Sequence, residues 1–438
     1  MPHVPHQLHA IRVAELDLAG LEGEVLSLRP APGGAPLTTG DIYALVRLRG
    51  TPVGAVLAHV APGEDTAGAL AAAARRQLAP FAQDGPAPPV KPGGLPRASV
   101  IVASRERADQ LSRALDSLLV QDHPDFEIVV VDNAPVTTAT RDLVVENYAP
   151  KGVRYVHEPV PGLASAHNRG VAAAEGEVLA FTDDDVIADP HWLTALTAPF
   201  AADHRLACVT GLILPALLNT PAQILLESHG GFAKGFVPRL FDPAAPPADE
   251  PLFPFTAGEF GSGANMAFRA APLRAVGGFD PGTGVGTLAK GGDDLYAFAR
   301  IVVAGHRLRY TPQALVWHHH RETWKDLENQ AYGYGAGLTA YLTAIIVRRP
   351  GLLPALIARL PRGLAHALSI TASRTDTTGE SGPGSGPGSV PGEHGTHDYP
   401  WPRSLSRLER RGMLYGPIGY LRARRAVRGN QLPWQEGR

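Results

Sequence analysis

The sequence predicts an α/β fold in which a mostly parallel sheet is flanked by helices. Between residues 98 and 182, short apolar runs typical of buried strands alternate with amphipathic segments typical of helices. Polar residues, many of them acidic, follow three of these runs, at the carboxyl ends where parallel sheets bind ligands. The 438 residues are 44% hydrophobic and 19% charged, a globular composition that allows two or three domains.

The N-terminal region, residues 1–81, is predicted to be a small α+β domain. Two strand-like runs at 42–49 and 52–57 flank Gly50-Thr51, which is a signal for a two-residue hairpin turn. An alanine-rich helix is expected at 66–81. Residues 82–97 are rich in Pro and Gly and are predicted to be a linker.

The main α/β domain is predicted at 98–345. Its first helix has Leu111, Leu115 and Leu118 on one face, as a helix that covers a sheet requires. The later part contains glycine-rich loops and a second group of helices. The predicted strands are 98–103, 126–131, 153–156, 178–182 and 314–317, and the predicted helices are 107–121, 138–148, 165–174, 294–304 and 332–347.

The C-terminal region divides into three predicted segments: a helical extension at 346–370, a disordered linker at 371–398 and a basic amphipathic segment at 399–438. Residues 401–438 contain nine Arg and two Glu, which gives a net charge of +7. Because basic and apolar side chains are interleaved there, peripheral contact with an anionic membrane is expected. The alternative is a helix that packs on the α/β domain.

The bulk composition excludes several classes of function. A net charge of −2 gives no electrostatic reason to expect a nucleic-acid partner. Cys208 is the single cysteine, so an intrachain disulfide and a cysteine-built zinc site are excluded. The first residues lack the apolar core of a signal peptide, and no apolar run approaches the ~20 residues that cross a bilayer. A cytoplasmic protein is expected.

Three consecutive acids, Asp183, Asp184 and Asp185, directly follow the strand at 178–182. Hard divalent cations prefer oxygen ligands, and residues i and i+2 of an extended chain point to the same side. Asp183 and Asp185 therefore suit a Mg²⁺ or Mn²⁺ ion that bridges to a nucleotide diphosphate. The alternative is an N-cap of the helix expected at 191–199.

Two further clusters follow later in the chain. Asp293 and Asp294 stand at a predicted helix start after Gly291-Gly292, which indicates close approach to a ligand; the alternative is a plain N-cap. Neighbouring acids raise one another's pKa toward the range of a general base. After the strand at 314–317, alternation places His318 and His320 on one face, and the alternative is a run of surface histidines.

Taken together, these clusters and several glycine-containing segments occur in an order that resembles the family 2 glycosyltransferases with the GT-A fold. The resemblance extends over about residues 96–342. One departure is Ala103-Ser104-Arg105, where the family commonly has Pro-Thr-Tyr or a similar set, so the contacts to base and ribose stay open. The matching segments are 98–105, 130–133, 162–170, 183–185, 263–269, 276–280 and 292–295, followed by 305–308 and His318.

The resemblance implies a role for each candidate residue. Asp185 and Asp183 would ligate Mn²⁺ or Mg²⁺, with His318 completing the coordination and His320 as second choice. Asp294 would be the catalytic base. Asp293 would contact the acceptor, and Trp317 would stack on its sugar; the alternative for Trp317 is a position in the core. The nucleotide-binding residues would be Ser104, Arg105, Glu106, Asp132, Asn168, Arg169 and Asp183, with Asp132 on the nucleobase. The alternatives are a turn cap for Asp132 and a solvated helix face for Asn168 and Arg169.

The function expected from the resemblance is that of a metal-dependent, inverting glycosyltransferase of the hexosyl or deoxyhexosyl type. It would use a nucleotide-diphosphate sugar and a hydroxyl acceptor, such as a lipid-linked saccharide or a glycoside. The pathway would be cell-surface polysaccharide, glycolipid or glycoside biosynthesis. Two alternatives stay open: a metal-dependent nucleotidyltransferase, and a catalytically silent protein that binds a sugar nucleotide.

Overall fold

The computed structural model describes residues 8–78, 94–229, 231–359, 361, 399 and 401–427. The predicted disordered linker at 371–398 and most of the linker at 82–97 lie outside the described residues. So do the last residues of the basic segment, beyond 427.

The N-terminal unit is a four-stranded sheet covered by one helix. The strands are β1 (Arg12–Leu18), β2 (Val25–Pro30), β3 (Gly40–Leu48) and β4 (Thr51–Val60), and the helix is α1 (Thr66–Leu78). Their order in the sheet is β2-β1-β3-β4. The predicted hairpin of β3 and β4 is present, but it turns at Arg49 and Gly50, both with positive φ, one residue earlier than the predicted Gly50-Thr51.

The second sheet has nine strands and carries the candidate site. β8, β5, β6 and β7 lie side by side and run parallel, whereas β12 is antiparallel to both of its neighbours, β8 and β10. The strand order is β11-β13-β10-β12-β8-β5-β6-β7, and β9 pairs with β13. The strands are β5 (Ala98–Ser104), β6 (Phe126–Asn133), β7 (Val153–Glu158), β8 (Val178–Asp183), β9 (Val186–Ala188), β10 (Leu206–Pro215), β11 (Arg239–Phe241), β12 (Asn265–Arg269) and β13 (Arg307–His318).

Helices cover both faces of this sheet, and a separate apolar core lies under each layer. The prediction of an α/β fold with a central sheet flanked by helices is confirmed. The sheet is mixed and not mostly parallel, because four of its eight described strand pairs are parallel and four are antiparallel. The helices are α2 (Ala108–Leu118), α3 (Ala139–Leu143, continued by a π-helical turn, Val144–Tyr148), α4 (Leu163–Ala173), α5 (Trp192–Ala202), α6 (Pro221–Ser228), α7 (Ala270–Ala275), α8 (Asp293–Val303), α9 (Trp324–Arg348) and α10 (Arg403–Ala426).

The N-terminal unit is joined to the larger sheet by a shared core and by one buried arginine. Tyr43 and Leu45 belong to the same apolar cluster as Leu214 and Trp317. The Arg47 guanidinium donates to Glu15 of β1 at 2.9 Å and to Asp189, after β9, at 2.6 Å. All three of these charged side chains are buried, so each charge depends on the others for compensation.

The C-terminal helix α10 packs along α9 through glycines. A Cβ on Gly412 would lie 2.1 Å from the carbonyl oxygen of Tyr332, and one on Gly416 would lie 2.3 Å from that of Ala336. The described part of the basic segment is therefore docked on the catalytic domain. Within the described residues, no single helix has the length and apolarity to cross a membrane. Trp324–Arg348 and Pro350–Arg359 meet that test only as a pair, with a 109° bend between them.

Candidate active site

A cleft of about 860 Å³ opens at the carboxyl ends of the parallel strands. One wall comes from strand ends and contains Ser104, Asn133, Asp183 and His318. The opposite wall comes from the start of α8, the loop before it and one face of α9. This wall contributes Val285, Lys290, Gly292, Asp293, Asp294, Gln330, Tyr334 and Leu338.

The three consecutive acids do not continue as an extended strand. β8 ends at Asp183, a turn follows, and β9 begins at Val186. Asp184 is held inside this turn, because Ser104 Oγ donates to its Oδ2 at 2.8 Å and Arg107 Nη1 donates to its Oδ1 at 3.0 Å. Burial raises the pKa of Asp184, and Arg107 opposes that rise. The middle acid thus fixes the turn that presents its two neighbours.

Asp183, Asp185 and His318 converge on one point. A donor atom from each lies within 4.8 Å of the other two. Oδ1 of Asp185 is buried without a hydrogen-bond partner among the described residues, although His318 Nε2 is 3.3 Å away. Two carboxylates and one imidazole form a donor set that fits Mn²⁺ or Mg²⁺, and the imidazole favours the first.

The two outer acids are held in different charge states. Burial raises the pKa of Asp183 to about 7, and the nearby Asp185 carboxylate adds to the effect. Burial would also raise the pKa of Asp185, but His318, Arg107 and Arg321 lower it below its ordinary range. Arg107 Nη1 and Arg321 Nη2 lie 3.1 Å and 3.6 Å from Asp185 Oδ2. Asp185 is therefore the acid that stays ionised.

A buried chain of contacts extends behind His318. Its Nδ1 lies 3.0 Å from Nδ1 of His320, and Nε2 of His320 lies 3.0 Å from Oε2 of Glu227 on α6. His320 thus faces Glu227 and not the two aspartates. If His320 donates from Nε2 to Glu227, its Nδ1 accepts from Nδ1–H of His318. A neutral His318 in that tautomer would turn its Nε2 lone pair toward a metal ion held with Asp185, whereas a proton on Nε2 pairs with the Asp185 carboxylate when no ion is bound.

Asp293 and Asp294 occupy the first turn of α8. Asp294 accepts two backbone hydrogen bonds, from Gly263 N–H at 2.8 Å and from Leu295 N–H at 2.7 Å. Burial raises the pKa of Asp294 to about 6, the Asp293 carboxyl adds to the rise, and the two amides oppose it. Asp293 is buried, and its Oδ2 lies 3.5 Å from Nδ1 of His167.

The glycines before this acid pair, Gly291 and Gly292, both line the cleft, and Gly292 also permits a close contact within the protein. Gly292 has a φ of +85°, and a Cβ there would lie 2.5 Å from the carbonyl oxygen of Gly337 on α9. The close approach is thus between two backbone segments of the protein. It brings α9 against the start of α8, and both then line the cleft.

The structure brings many of the predicted site residues together. Ser104, Arg105, Asp183, Asp185, His318, Asp293 and Asp294 all line the cleft. Asp132 is the penultimate residue of β6, at the edge of this region, and is buried. Its Oδ2 accepts from Tyr155 Oη–H at 2.9 Å, whereas its Oδ1 has no hydrogen-bond partner among the described residues.

Three predicted nucleotide contacts are corrected by the geometry. Glu106 has a φ of +56°, and its carboxylate accepts from the N–H groups of Val136 and Thr137, so it holds the loop after β6. Asn168 is buried and exchanges two hydrogen bonds with the backbone of Phe279. Arg169 is exposed and does not line the cleft.

The predicted acceptor contact of Trp317 is also wrong. Only 1% of its surface is exposed, because the side chain lies in the core shared with the N-terminal unit. Besides Phe232, the aromatic residue that does line the cleft is Tyr334 of α9. Its position could not be inferred locally, since a helix that is mostly apolar gives no indication of which face meets the cleft.

Sequence reasoning identified Arg105 but missed four other basic residues of the site. Arg107, Lys234, Lys290 and Arg321 all line the cleft. Arg107 stands three residues after the end of β5, and Arg321 directly follows the histidine run. Both positions are close in sequence to predicted site residues, and that proximity was the available signal.

Comparison with known proteins indicates the class of enzyme that this chain resembles. Residues 99–223 match the sequence model of glycosyl transferase family 2. The chain is 39% identical over 104 residues to an uncharacterised glycosyltransferase of Nostoc sp., which is 23% of this chain and 32% of that protein. It is 28% identical over 239 residues to the pre-mycofactocin glycosyltransferase of Mycobacterium tuberculosis, which is 54% of this chain and 46% of that protein. The matched region is thus less than half the length of each relative.

A mannosyltransferase from Pyrobaculum calidifontis, solved in complex with GDP-Man and Mn²⁺, has a TM-score of 0.43 and 19% identity to this chain. The superposition covers 80% of this chain and 92% of that one. The match identifies residues 99–223 as a segment of the glycosyl transferase family 2 type. The segment that matches the family contains the Asp183–Asp185 turn but ends before Asp294 and His318.

Proposed function

We propose that this glycosyltransferase moves a sugar from a nucleotide-diphosphate donor to a hydroxyl acceptor, with a divalent metal ion and with inversion at the anomeric carbon. The observation that carries the proposal is the pairing of two acid sites on one cleft. Asp185, surrounded by cations, stays ionised, whereas Asp294, held by amides beside another acid, has a pKa of about 6. The first suits a metal ligand and the second suits a general base.

The donor would lie across the strand ends. Asp132 is buried beside the cleft, and its Oδ1, which has no hydrogen-bond partner among the described residues, would accept from the N–H of a base that reached it. Arg107 and Arg321, with Lys234 and Lys290, supply positive charge near a diphosphate. Asp183, Asp185 and His318 would hold Mn²⁺ or Mg²⁺, which when bound neutralises charge on the departing diphosphate.

The acceptor hydroxyl would lie against Asp294. The amides of Gly263 and Leu295 fix the carboxylate in place, and its raised pKa lets it take the hydroxyl proton near neutral pH. The hydroxyl oxygen attacks the anomeric carbon from the side opposite the diphosphate. One displacement of this kind inverts the configuration.

The transferred group would be a hexosyl or deoxyhexosyl unit, and the acceptor a lipid-linked saccharide or a glycoside. This places the protein in cell-surface polysaccharide, glycolipid or glycoside biosynthesis. We propose a cytoplasmic protein with peripheral contact to the inner face of the membrane. These assignments follow from the resemblance of the cleft residues to the family.

The test begins with a thermal-shift screen of nucleotide sugars in the presence of Mn²⁺. A donor at about 100 times its Kd should stabilise the protein by about 2.7 kcal/mol. Donors that bind are then incubated with saccharide and glycoside acceptors, and released nucleoside diphosphate is measured. Release that requires an acceptor, with an inverted anomeric signal in the product by NMR, supports the proposal.

Two other outcomes would replace the proposed glycosyltransferase activity with a different function. Release of pyrophosphate from a nucleoside triphosphate would identify a nucleotidyltransferase. Tight donor binding with no turnover on any acceptor would favour a catalytically silent binding protein. Retained configuration in the product would reject direct displacement and the role given to Asp294.

A further inference from the structure

The outward face of α10 has an unusual composition. Its exposed side chains are all either arginine or apolar, and no acid is among them. Three large apolar residues, Leu414, Ile418 and Leu421, are 79%, 50% and 40% exposed. The complete exposed set is Arg403, Arg407, Arg410, Arg411, Leu414, Ile418, Leu421, Arg422, Arg425 and Ala426.

The opposite face of the helix accounts for its docking, so the exposed face is not needed for it. Gly412 and Gly416 bring α10 against α9, and Leu405 and Tyr420 are buried. The Tyr420 hydroxyl donates to Asp280 at 3.0 Å, and Arg348 of α9 pairs with the same carboxylate. α10 is thus a rigid helix with one face fixed in the protein and the other facing outward.

The pattern along the exposed face fits a lipid surface. The apolar residues lie in the middle, and arginines stand at both ends. An interfacial helix buries such apolar side chains among the acyl chains, while arginines extend to anionic headgroups. Nucleic acid would be held mainly by contacts to phosphate and would not need three leucine-sized side chains at the centre.

The exposed face is also connected to the rim of the cleft. A Cβ on Gly419 would lie 2.5 Å from the carbonyl oxygen of Leu288, so α10 supports the loop before α8. In that loop, Val285 lines the cleft and is 63% exposed, and Leu288 is 45% exposed. Apolar surface is therefore present on both the helix and the neighbouring rim.

We propose that the exposed face of α10 binds an anionic membrane surface and holds the cleft rim beside it. This adds a docking surface to the proposed function and explains how a lipid-linked acceptor would reach the cleft. Binding to the bilayer does not depend on the sugar chemistry, so the two proposals can fail separately.

The experiment is co-sedimentation of the full chain with phosphatidylcholine vesicles, with and without phosphatidylglycerol. Binding is expected only when the anionic lipid is present. Changing Arg407, Arg410 and Arg411 together to Gln should weaken it on the order of 100-fold, given the usual contribution of each basic residue. Changing Leu414, Ile418 and Leu421 together to Ser should weaken it at least ~10-fold.

Matched control variants use exposed residues elsewhere. Val120, Val145 and Val237 changed to Ser control for loss of apolar surface, and Arg76, Arg113 and Arg141 changed to Gln control for loss of charge. Both control variants should bind vesicles like the parent chain. Nucleoside-diphosphate binding with Mn²⁺, measured by titration calorimetry, should be unchanged in all four variants, which separates this test from that of the cleft.

Several results would overturn the proposal. Failure of the parent chain to bind anionic vesicles would show that the face is covered by another part of the chain or has another partner. Equal binding by the parent chain and both α10 variants would place the contact elsewhere. Loss of binding only in the arginine variant, with equal affinity for soluble polyanions, would indicate an electrostatic site that does not enter the lipid.

Discussion

Two acids of the same cleft, Asp185 and Asp294, are given opposite properties by their surroundings. Asp185 lies beside His318 and within 4.0 Å of two arginines, and its pKa is lowered. Asp294 lies beside a second acid and accepts only from backbone amides, and its pKa rises to about 6. The chemical groups are identical, so the difference is made entirely by their neighbours.

The comparison shows how one cleft can hold a permanent anion and a proton acceptor. Cations reach Asp185 from the end of β13 and from the loop after β5, which converge at the sheet edge. The start of α8 receives no arginine or lysine in direct contact among the described residues, and α9 closes over it. Each of the following predictions changes one of these acids or a residue that influences it.

The largest effect is expected from Asp185→Ala. The change removes a metal-ligand atom and leaves Arg107 and Arg321 without the carboxylate they share. Mn²⁺-dependent binding of nucleoside diphosphate and turnover should both fall below detection, measured by calorimetry and by product release. The control is Asp109→Ala, an exposed acid on α2. Full activity of Asp185→Ala in the presence of a chelator would reject the metal site.

Asp294→Asn should give the next largest loss. The amide keeps the volume but removes basicity, so turnover should fall by roughly 10²–10⁴ while diphosphate binding persists. One of the N–H groups of Gly263 and Leu295 loses its acceptor, which should cost about 1–3 kcal/mol in unfolding free energy. Chemical denaturation measures that loss of unfolding free energy, and turnover at saturating donor measures the loss of catalysis. Near-normal turnover would move the base elsewhere, with Glu259 as the next candidate.

His320→Ala tests the contacts behind the metal site. Without His320, Nδ1 of His318 loses its partner and the imidazole is no longer held in one tautomer. Mn²⁺ affinity, measured by electron paramagnetic resonance, should fall about 10–100-fold. His319→Ala is the matched control, because its side chain lies outside this chain of contacts. Equal Mn²⁺ affinity in both variants would show that Glu227 and His320 are structural only.

The smallest effect is expected from Asp293→Asn, and it should appear in the pH profile. In the parent enzyme, turnover should rise with pH through about 6, as Asp294 loses its proton, and then level off. Removing the neighbouring acid lowers the pKa of Asp294, so the rise should move to lower pH, with a smaller loss of turnover than in Asp294→Asn. An unchanged profile would mean that Asp293 does not influence the base.

The sequence was informative where function depends on neighbours along the chain. The Asp183–Asp185 run, the His318 strand end and the start of α8 each occupy a few consecutive residues, and their order gave the family. Asn168 was misread because its partner, Phe279, is 111 residues away. Trp317 was misread because the N-terminal unit that buries it is far away in sequence. The role of Arg107 and Arg321 is evident only in the fold, because the ends of β5 and β13 bring both side chains to Asp185.

The glycines before Asp293 show a related limit of prediction from sequence. Gly292 was correctly taken as a mark of close approach, but a sequence does not say what approaches. In the structure it is Gly337, through a contact between backbones that no side-chain pattern records.

The buried arginine between the two sheets has a practical consequence for shortened versions of this protein. A version that starts at residue 94 would leave the Asp189 carboxylate without its 2.6 Å partner and would expose Leu214 and Trp317 to water. Such a fragment would contain every residue that lines the cleft. It would also expose an apolar surface and leave one carboxylate without its cationic partner. Poor solubility of a trimmed catalytic domain should therefore be attributed to the missing cover, and co-expression of residues 1–93 as a separate chain is the remedy to try.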